Sequence, residues 1–306
     1  MALVPRFNID FMGNRRIMFT ISAILIVVSI AALSVRGLKF GIEFVGGTVI
    51  NVTNARTVTS EQMRTAFVDA GVANPSVQTS TVNGINGFIV RTDAVKPGEA
   101  AASAAKVAAA TKLPKADFQV TTIGPGWGRN ITNSAMLALV LSIAAILLYV
   151  SLRFEYKMSV TAVASLIHDL VIVLGIYALA GLEVTPNTIA ALLTILGYSL
   201  YDTIVVFHRI KENSQGLVKQ TFMSMANESI NEVLIRSINT TLSSLIPVVV
   251  MLFFGGATLK DFAFALSIGL LAGSYSSIGV AAPLFAMWKE TEPKYKALAK
   301  RYASAS

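Results

Sequence analysis

Six runs of apolar residues, at 17–35, 131–152, 158–180, 184–207, 237–259 and 262–288, dominate this 306-residue sequence. A helix needs about 20 such residues to cross the hydrocarbon core of a bilayer. Inside lipid, a spanning segment must also satisfy its own backbone N–H and C=O groups. Runs of this length and polarity therefore read as membrane helices. The whole chain agrees, being 54% hydrophobic and only 14% charged, with a mean hydropathy of +0.64, well outside the range of an ordinary soluble domain. The first run has too long an apolar core for a cleaved signal peptide, and no small-residue cleavage site closes it. It is expected to remain as a membrane helix.

Lysine and arginine set the orientation. Arg6, Arg15 and Arg16 precede the first run, and Arg153 and Lys157 separate the second from the third. Arg209, Lys211, Lys219 and Arg236 separate the fourth from the fifth, and Lys289, Lys294, Lys296, Lys300 and Arg301 follow the sixth. All these segments fall on one side, which makes residues 1–16 and 289–306 cytoplasmic. The opposite short loops, "GLEVTPN" and "GGATLK", carry one Glu and one Lys.

One long segment, 36–130, lies on the outer side, and its pattern switches between strand and helix. "GTVINVTN" alternates with β-branched residues. "TSEQMRTAFVDAG" opens with Thr59 and Gln62 at capping-box spacing and closes on Gly71. "SVQTST" and "GFIVRT" flank "VNGING", a pair of Asn-Gly turn signals; "GEAAASAAKVAAATK" is an alanine-rich helix, and "DFQVTTI" is a last strand. The order β-α-β-β-α-β predicts a ferredoxin-like α+β domain between the first and second membrane helices. The fold class is thus a polytopic helical membrane protein, with the remaining helices in 131–288.

Polar residues inside the spans carry the functional signal. A charge at the bilayer centre costs about 2.5–3.5 kcal/mol on insertion scales, yet "GYSLYDTIVVFHR" at 197–209 holds Asp202. Thr194, Tyr198, Asp202 and Val205 share one face of that span. The third span holds His168 and Asp169, with Ser165 one turn earlier, and the fifth places Arg236, Thr240, Ser243 and Pro247 on a stripe. In the sixth, Gly269, Gly273, Ser277 and Ala281 recur every four residues, a ridge that lets backbones approach closely. A carboxylate facing helices, with burial and a neighbouring arginine acting oppositely on its proton affinity, can load and release a proton. Asp202 is the candidate relay and Arg236 its candidate partner. Plainer readings stand beside these: Asp202 paired with Arg209, Arg236 as a topological anchor, and His168 with Asp169 as a satisfied structural pair. The stretch 215–237, "QGLVKQTFMSMANESINEVLIRS", reads as an amphipathic helix that lies on the membrane surface or touches another subunit, with the surface reading preferred.

Other chemistry is poorly supported. The chain has no cysteine and two histidines, so neither a disulfide framework nor a thiolate or histidine-rich metal site can be built. "GPGWGRN" lacks the lysine of a phosphate loop. Asp169 and Asp202 lack the second motif of a membrane aspartyl protease, so no enzymatic activity or cofactor is expected. The net charge of +8 reflects topological signals rather than nucleic-acid binding.

Several segments together resemble the smaller partner in the SecD/SecF family of the resistance-nodulation-division superfamily. They are "FGIEFVGGT" at 40–48, "RFE" at 153–155, "LIHDL" at 166–170, "TIAALLTILGYSLYDTIVVFHRIKEN" at 188–213, "RSINTTLSSL" at 236–245 and "FGGATLKDFAFALSIGLLAGSYSSIGVAAPL" at 254–284. Tyr201 and His208 depart from that pattern, where Asn and Asp or a similar polar residue are expected. The resemblance implies an accessory subunit in the bacterial cytoplasmic membrane, working with SecD beside the SecY/SecE/SecG channel. It implies that protons are the coupling ion for export of a translocating polypeptide, with Asp202 and Arg236 on the proton path. A movement passed outward through "GLKFGIEFVGG" would use Gly46 and Gly47 as a hinge, or these form a plain strand-start turn. The alternative is a proton-coupled lipid or drug transporter of the same superfamily, although such chains usually carry both six-helix halves.

Overall fold

The computed structural model describes residues 8–55, 57–82, 85–93, 96–255 and 257–303. Helix α1 (Arg15–Arg36) leads into a short strand β1 (Lys39–Phe40), a single helical turn α2 (Ile42–Val45) and strand β2 (Gly47–Val52). Then come α3 (Ser60–Asp69), β3 (Ser76–Val82), β4 (Ile85–Thr92), α4 (Pro97–Thr111) and β5 (Phe118–Ile123). Strands β2 to β5 form one antiparallel sheet in the order β3-β4-β2-β5. Ile50 and Val52 of β2, with Phe88 and Val90 of β4, project onto Met63 and Phe67 of α3 and Val107 of α4 in a separate apolar core. The reciprocal Thr59–Gln62 capping box starts α3, as its spacing predicts. The first Asn-Gly signal, Asn83-Gly84, lies outside the described residues, and the second, Asn86-Gly87, falls within β4 rather than in a turn.

The remaining chain is helical. α5 (Pro125–Arg153) and α6 (Tyr156–Ala180) are followed by a two-residue strand β6 (Glu183–Val184), then α7 (Pro186–Ser214) and α8 (Phe222–Phe254). The last span is α9 (Ala257–Ser276), a π-helical turn (Ser277–Ala281) and α10 (Ala282–Glu290), with α11 (Pro293–Ala303) after it. Six helical stretches are long and apolar enough to cross a membrane. α6, α7 and the α9–α10 span form the buried centre, while α1, α5 and α8 keep most of their apolar surface outward, as lipid-facing helices do. The π turn precedes Pro283 and absorbs its missing N–H without breaking the span.

From Phe222 onward, the stretch expected to lie on the membrane surface is not a separate helix. It is continuous with the fifth span, giving a 33-residue helix about 50 Å long at 1.5 Å per residue, against a hydrocarbon core of about 30 Å. The helix is longer than that core by several turns, and in its N-terminal turns Asn227 and Asn231 accept the backbone N–H groups of Phe11 (2.8 Å) and Ile9 (2.9 Å). These side chains reward helix continuation through a tertiary contact that local amphipathicity cannot reveal.

Two sets of contacts tie the layers together. On the sheet side, β1 pairs in parallel with β6, Gly41 N–H donates to Val184 O at 2.9 Å, and Arg91 of β4 bridges to Glu183 at 2.9 Å. Burial pushes the Glu183 carboxyl above its ordinary 4.5, with Arg91 opposing and Glu43 and Asp261 reinforcing. On the far side, Glu292 accepts from Lys157 and Lys289, each at 3.0 Å. Burial raises Glu292, but these two ammonium groups outweigh it and hold the carboxyl below its ordinary 4.5.

Two outcomes follow. A Cβ on Gly273 would sit 2.8 Å from the Ser199 Cβ, whereas one on Gly197 meets nothing within 4 Å. Gly273→Leu should therefore lower the thermal unfolding temperature of the purified chain markedly, while Gly197→Ala should be neutral or stabilising by about 0.5–1 kcal/mol. The lowered Glu292 group stabilises the folded state above its unfolded value, and this contribution is lost as pH falls through the folded one. Limited proteolysis of α11 should accelerate below about pH 4, and in Glu292→Gln it should already be fast at neutral pH.

Candidate functional site

Asp202 sits in the fourth turn of α7 from its C-terminal end, with only 7% of its surface exposed. Its Oδ2 accepts from Ser237 Oγ at 3.0 Å and from Thr241 Oγ1 at 3.5 Å, both on α8. Ser237 and Thr241 lie one position beyond the stripe that sequence spacing singles out. Arg236 itself is exposed, and its Nη2 donates to the Tyr201 hydroxyl at 2.9 Å, so it acts on Asp202 only through its field. The Tyr201 hydroxyl is what holds it. Arg209 bridges Glu212 and Glu232, so the simple Asp202–Arg209 pair is not formed.

The second carboxylate lies deeper. Asp169 on α6 is 1% exposed, and its Oδ2 accepts from Ser199 Oγ of α7 (2.6 Å) and Ser276 Oγ of α9 (2.9 Å). Ser165 donates to Ser276 at 2.9 Å, and His168 Nδ1 lies 3.0 Å from Asp169 Oδ1. Ser199 and Ser276 carry no periodic signal of their own. Their one clue is proximity in sequence: Ser199 precedes Asp202 by three residues and Ser276 adjoins Ser277 of the small-residue ridge.

That ridge is what brings the groups together. Gly269 receives Ile195 and Gly273 receives Ser199, so α9 lies directly against α7. Ser277 shares a hydrogen bond with Thr203 at 2.8 Å and donates to Gly273 O at 2.8 Å. Between the helices, a cavity of about 10 Å3 is lined by Ser199, Asp202, Thr241 and Gly273. Gly46 and Gly47 lie elsewhere, where α2 ends and β2 begins, with φ of 79° and 147°. A Cβ on Gly47 would meet Thr92 O and the Ile42 side chain, each at 3.0 Å, a packed turn against the sheet.

The outward face of α7 and α8 is polar at mid-span. Tyr198, Tyr201 and Arg236 are exposed and Thr194 is half-buried, and a groove of about 490 Å3 runs along Leu193, Gly197, Tyr201 and Thr240. The sequence places this face away from lipid; in the single chain it is open.

The C-terminal family model of the protein export membrane proteins SecD and SecF matches residues 103–291. The SecD/SecF GG motif matches residues 31–53, which include Gly46 and Gly47. A protein translocase subunit SecF from Streptomyces coelicolor is 41% identical over 95% of this chain and 80% of its own length. One from Desulfurispirillum indicum is 34% identical over 96% and 97%. The crystal structure of SecDF, a translocon-associated membrane protein from Thermus thermophilus, superposes with a TM-score of 0.82 at 33% identity over 95% of this chain, which spans 40% of that longer protein. A super-membrane-facing form of SecDF gives a TM-score of 0.68. With matches that cover nearly its whole length, the chain belongs to the SecD/SecF family of protein export membrane proteins, among its SecF members.

Proposed function

We propose that this chain is an accessory subunit of the Sec protein translocase that, with SecD, uses the proton motive force to promote polypeptide export across the cytoplasmic membrane. The observation that carries this reading is the buried Asp202, held by two α8 hydroxyls rather than by an ion pair. A carboxylate so placed can accept a proton without first breaking a salt bridge. Protonation turns the charge-assisted bonds from Ser237 and Thr241 into weaker neutral ones; the hydroxyls rotate to stay paired, and α8 is held less tightly to α7. The polar face with Tyr198, Tyr201 and Arg236 is the surface to which SecD would dock, since the family's SecDF structures carry both halves in one chain. The surplus of Lys and Arg at the termini and in two loops supports both termini being cytoplasmic. The strand order β3-β4-β2-β5 supports a ferredoxin-like split βαβ domain on the outer side, where the polypeptide emerges from the SecY/SecE/SecG channel.

Movement would reach that domain through α7. The helix begins at Pro186, immediately after β6, whose pairing with β1 ties it to the linker leading into the sheet. Gly46 and Gly47 stand at the far end of that linker as the pivot. A proton moved through 100 mV releases about 2.3 kcal/mol, so one or a few bias a domain motion of that order. Vesicles carrying the chain with its SecD partner test this reading: Asp202→Asn should abolish the gradient-dependent part of export while the complex still assembles. Unchanged export at full gradient would make the chain a scaffold.

A further inference from the structure

We propose that His168 and Asp169 form a second proton-carrying centre, joined to Asp202 through Ser199. This rests on the reading of Asp202 as a proton carrier and extends it.

The first observation is an unsatisfied atom. His168 is 5% exposed, and its Nε2 is buried with no hydrogen-bond partner among the described residues. Asp169 has His168 as its one ion-pair partner there. The other groups facing the pair are uncharged hydroxyls, namely Ser199 from α7, Ser276 and Tyr275 from α9, and Ser165 from α6. Whichever way the proton lies in the Nδ1–Oδ1 bond, the charge of the pair is decided at one further proton. Without it, a net negative charge is buried with no cation beside it; with it, either Nε2 carries a buried N–H that lacks an acceptor, or Asp169 Oδ2 carries it and the Ser199 and Ser276 hydroxyls must turn from donor to acceptor. Both forms cost free energy. A purely structural pair would have an acceptor or donor fixing Nε2, as buried histidines usually do. A site that must gain and lose a proton is better left unfixed.

The second observation is a route. Ser199 Oγ donates to Asp169 Oδ2 at 2.6 Å, and Ser199 also lines the cavity of about 10 Å3 that borders Asp202, room for about one water molecule. A proton leaving the Asp202 carboxyl crosses that space to Ser199 Oγ, and Ser199 passes its own hydroxyl proton to Asp169 Oδ2. Asp202 ends one proton poorer and the pair one richer, while serine and water are unchanged. Small side chains at Gly273 and Ser199 keep the passage open, since a Cβ on Gly273 would press on Ser199.

Infrared difference spectra between acid and neutral pH, on the purified complex with SecD in vesicles, test the proposal alongside gradient-driven export. Asp169→Asn should remove a protonated-carboxyl band that Asp202→Asn leaves in place, Asp169→Glu should restore one, and gradient-driven export should be lost in Asp169→Asn. Ser199→Ala removes only the bridge, so it should slow export while both bands remain; it carries the test if Asp169→Asn does not assemble. An unchanged spectrum in Asp169→Asn, or unchanged export in Ser199→Ala, overturns the proposal. If Asp202→Asn alone is silent in export, the export reading fails, while a band lost only in Asp169→Asn would still identify the pair as a titrating site.

Discussion

The structure depends on how an apolar bundle satisfies two buried carboxylates with no lysine or arginine bonded to either among the described residues. In lipid there is no water to hydrogen-bond a stranded polar atom, so such a group is costly unless it finds a partner on another part of the protein. Asp169 and Asp202 find hydroxyls: Ser199 and Ser276 for one, Ser237 and Thr241 for the other. A hydroxyl can donate or accept by rotating about one bond, so it suits either protonation state of its neighbour. A fixed ion pair would not.

Close helix packing makes this possible. Serine side chains are short, and they reach a carboxylate on another helix only if the backbones nearly touch. Gly269 and Gly273 on α9 bring α7 to that distance, and the π turn from Ser277 to Ala281 lets the span continue past Pro283. The same α7 that carries Asp202 starts beside β6, where the β1 pairing and the Arg91–Glu183 bridge hold the sheet domain against the bundle. One rigid 29-residue rod therefore connects the buried carboxylate to the domain linker.

Much of this was legible in the sequence, because the bilayer imposes length and polarity rules that hold locally. The apolar runs, the lone Asp202, the His168–Asp169 pair and the glycine ridge each stand out against a uniform background. What could not be read is which hydroxyl meets which carboxylate. Arg236 and Ser237 are adjacent, and a rotation of one residue about α8 decides whether the arginine or the serine faces Asp202; packing against α7 and α9 settles that rotation. The continuity of α8 was likewise hidden, since it depends on Asn227 and Asn231 gripping backbone more than two hundred residues away. The β1–β6 pair is too short to register as a pattern at all.

The most direct measurement is a count of protons against polypeptide. Vesicles carrying the complex with SecD and the channel, loaded with a pH-sensitive dye, would report proton passage while a translocation intermediate advances or is held stalled. Proton-driven export predicts passage that accompanies advance and falls when the polypeptide is stalled. Advance at an undiminished rate with no proton passage would contradict it.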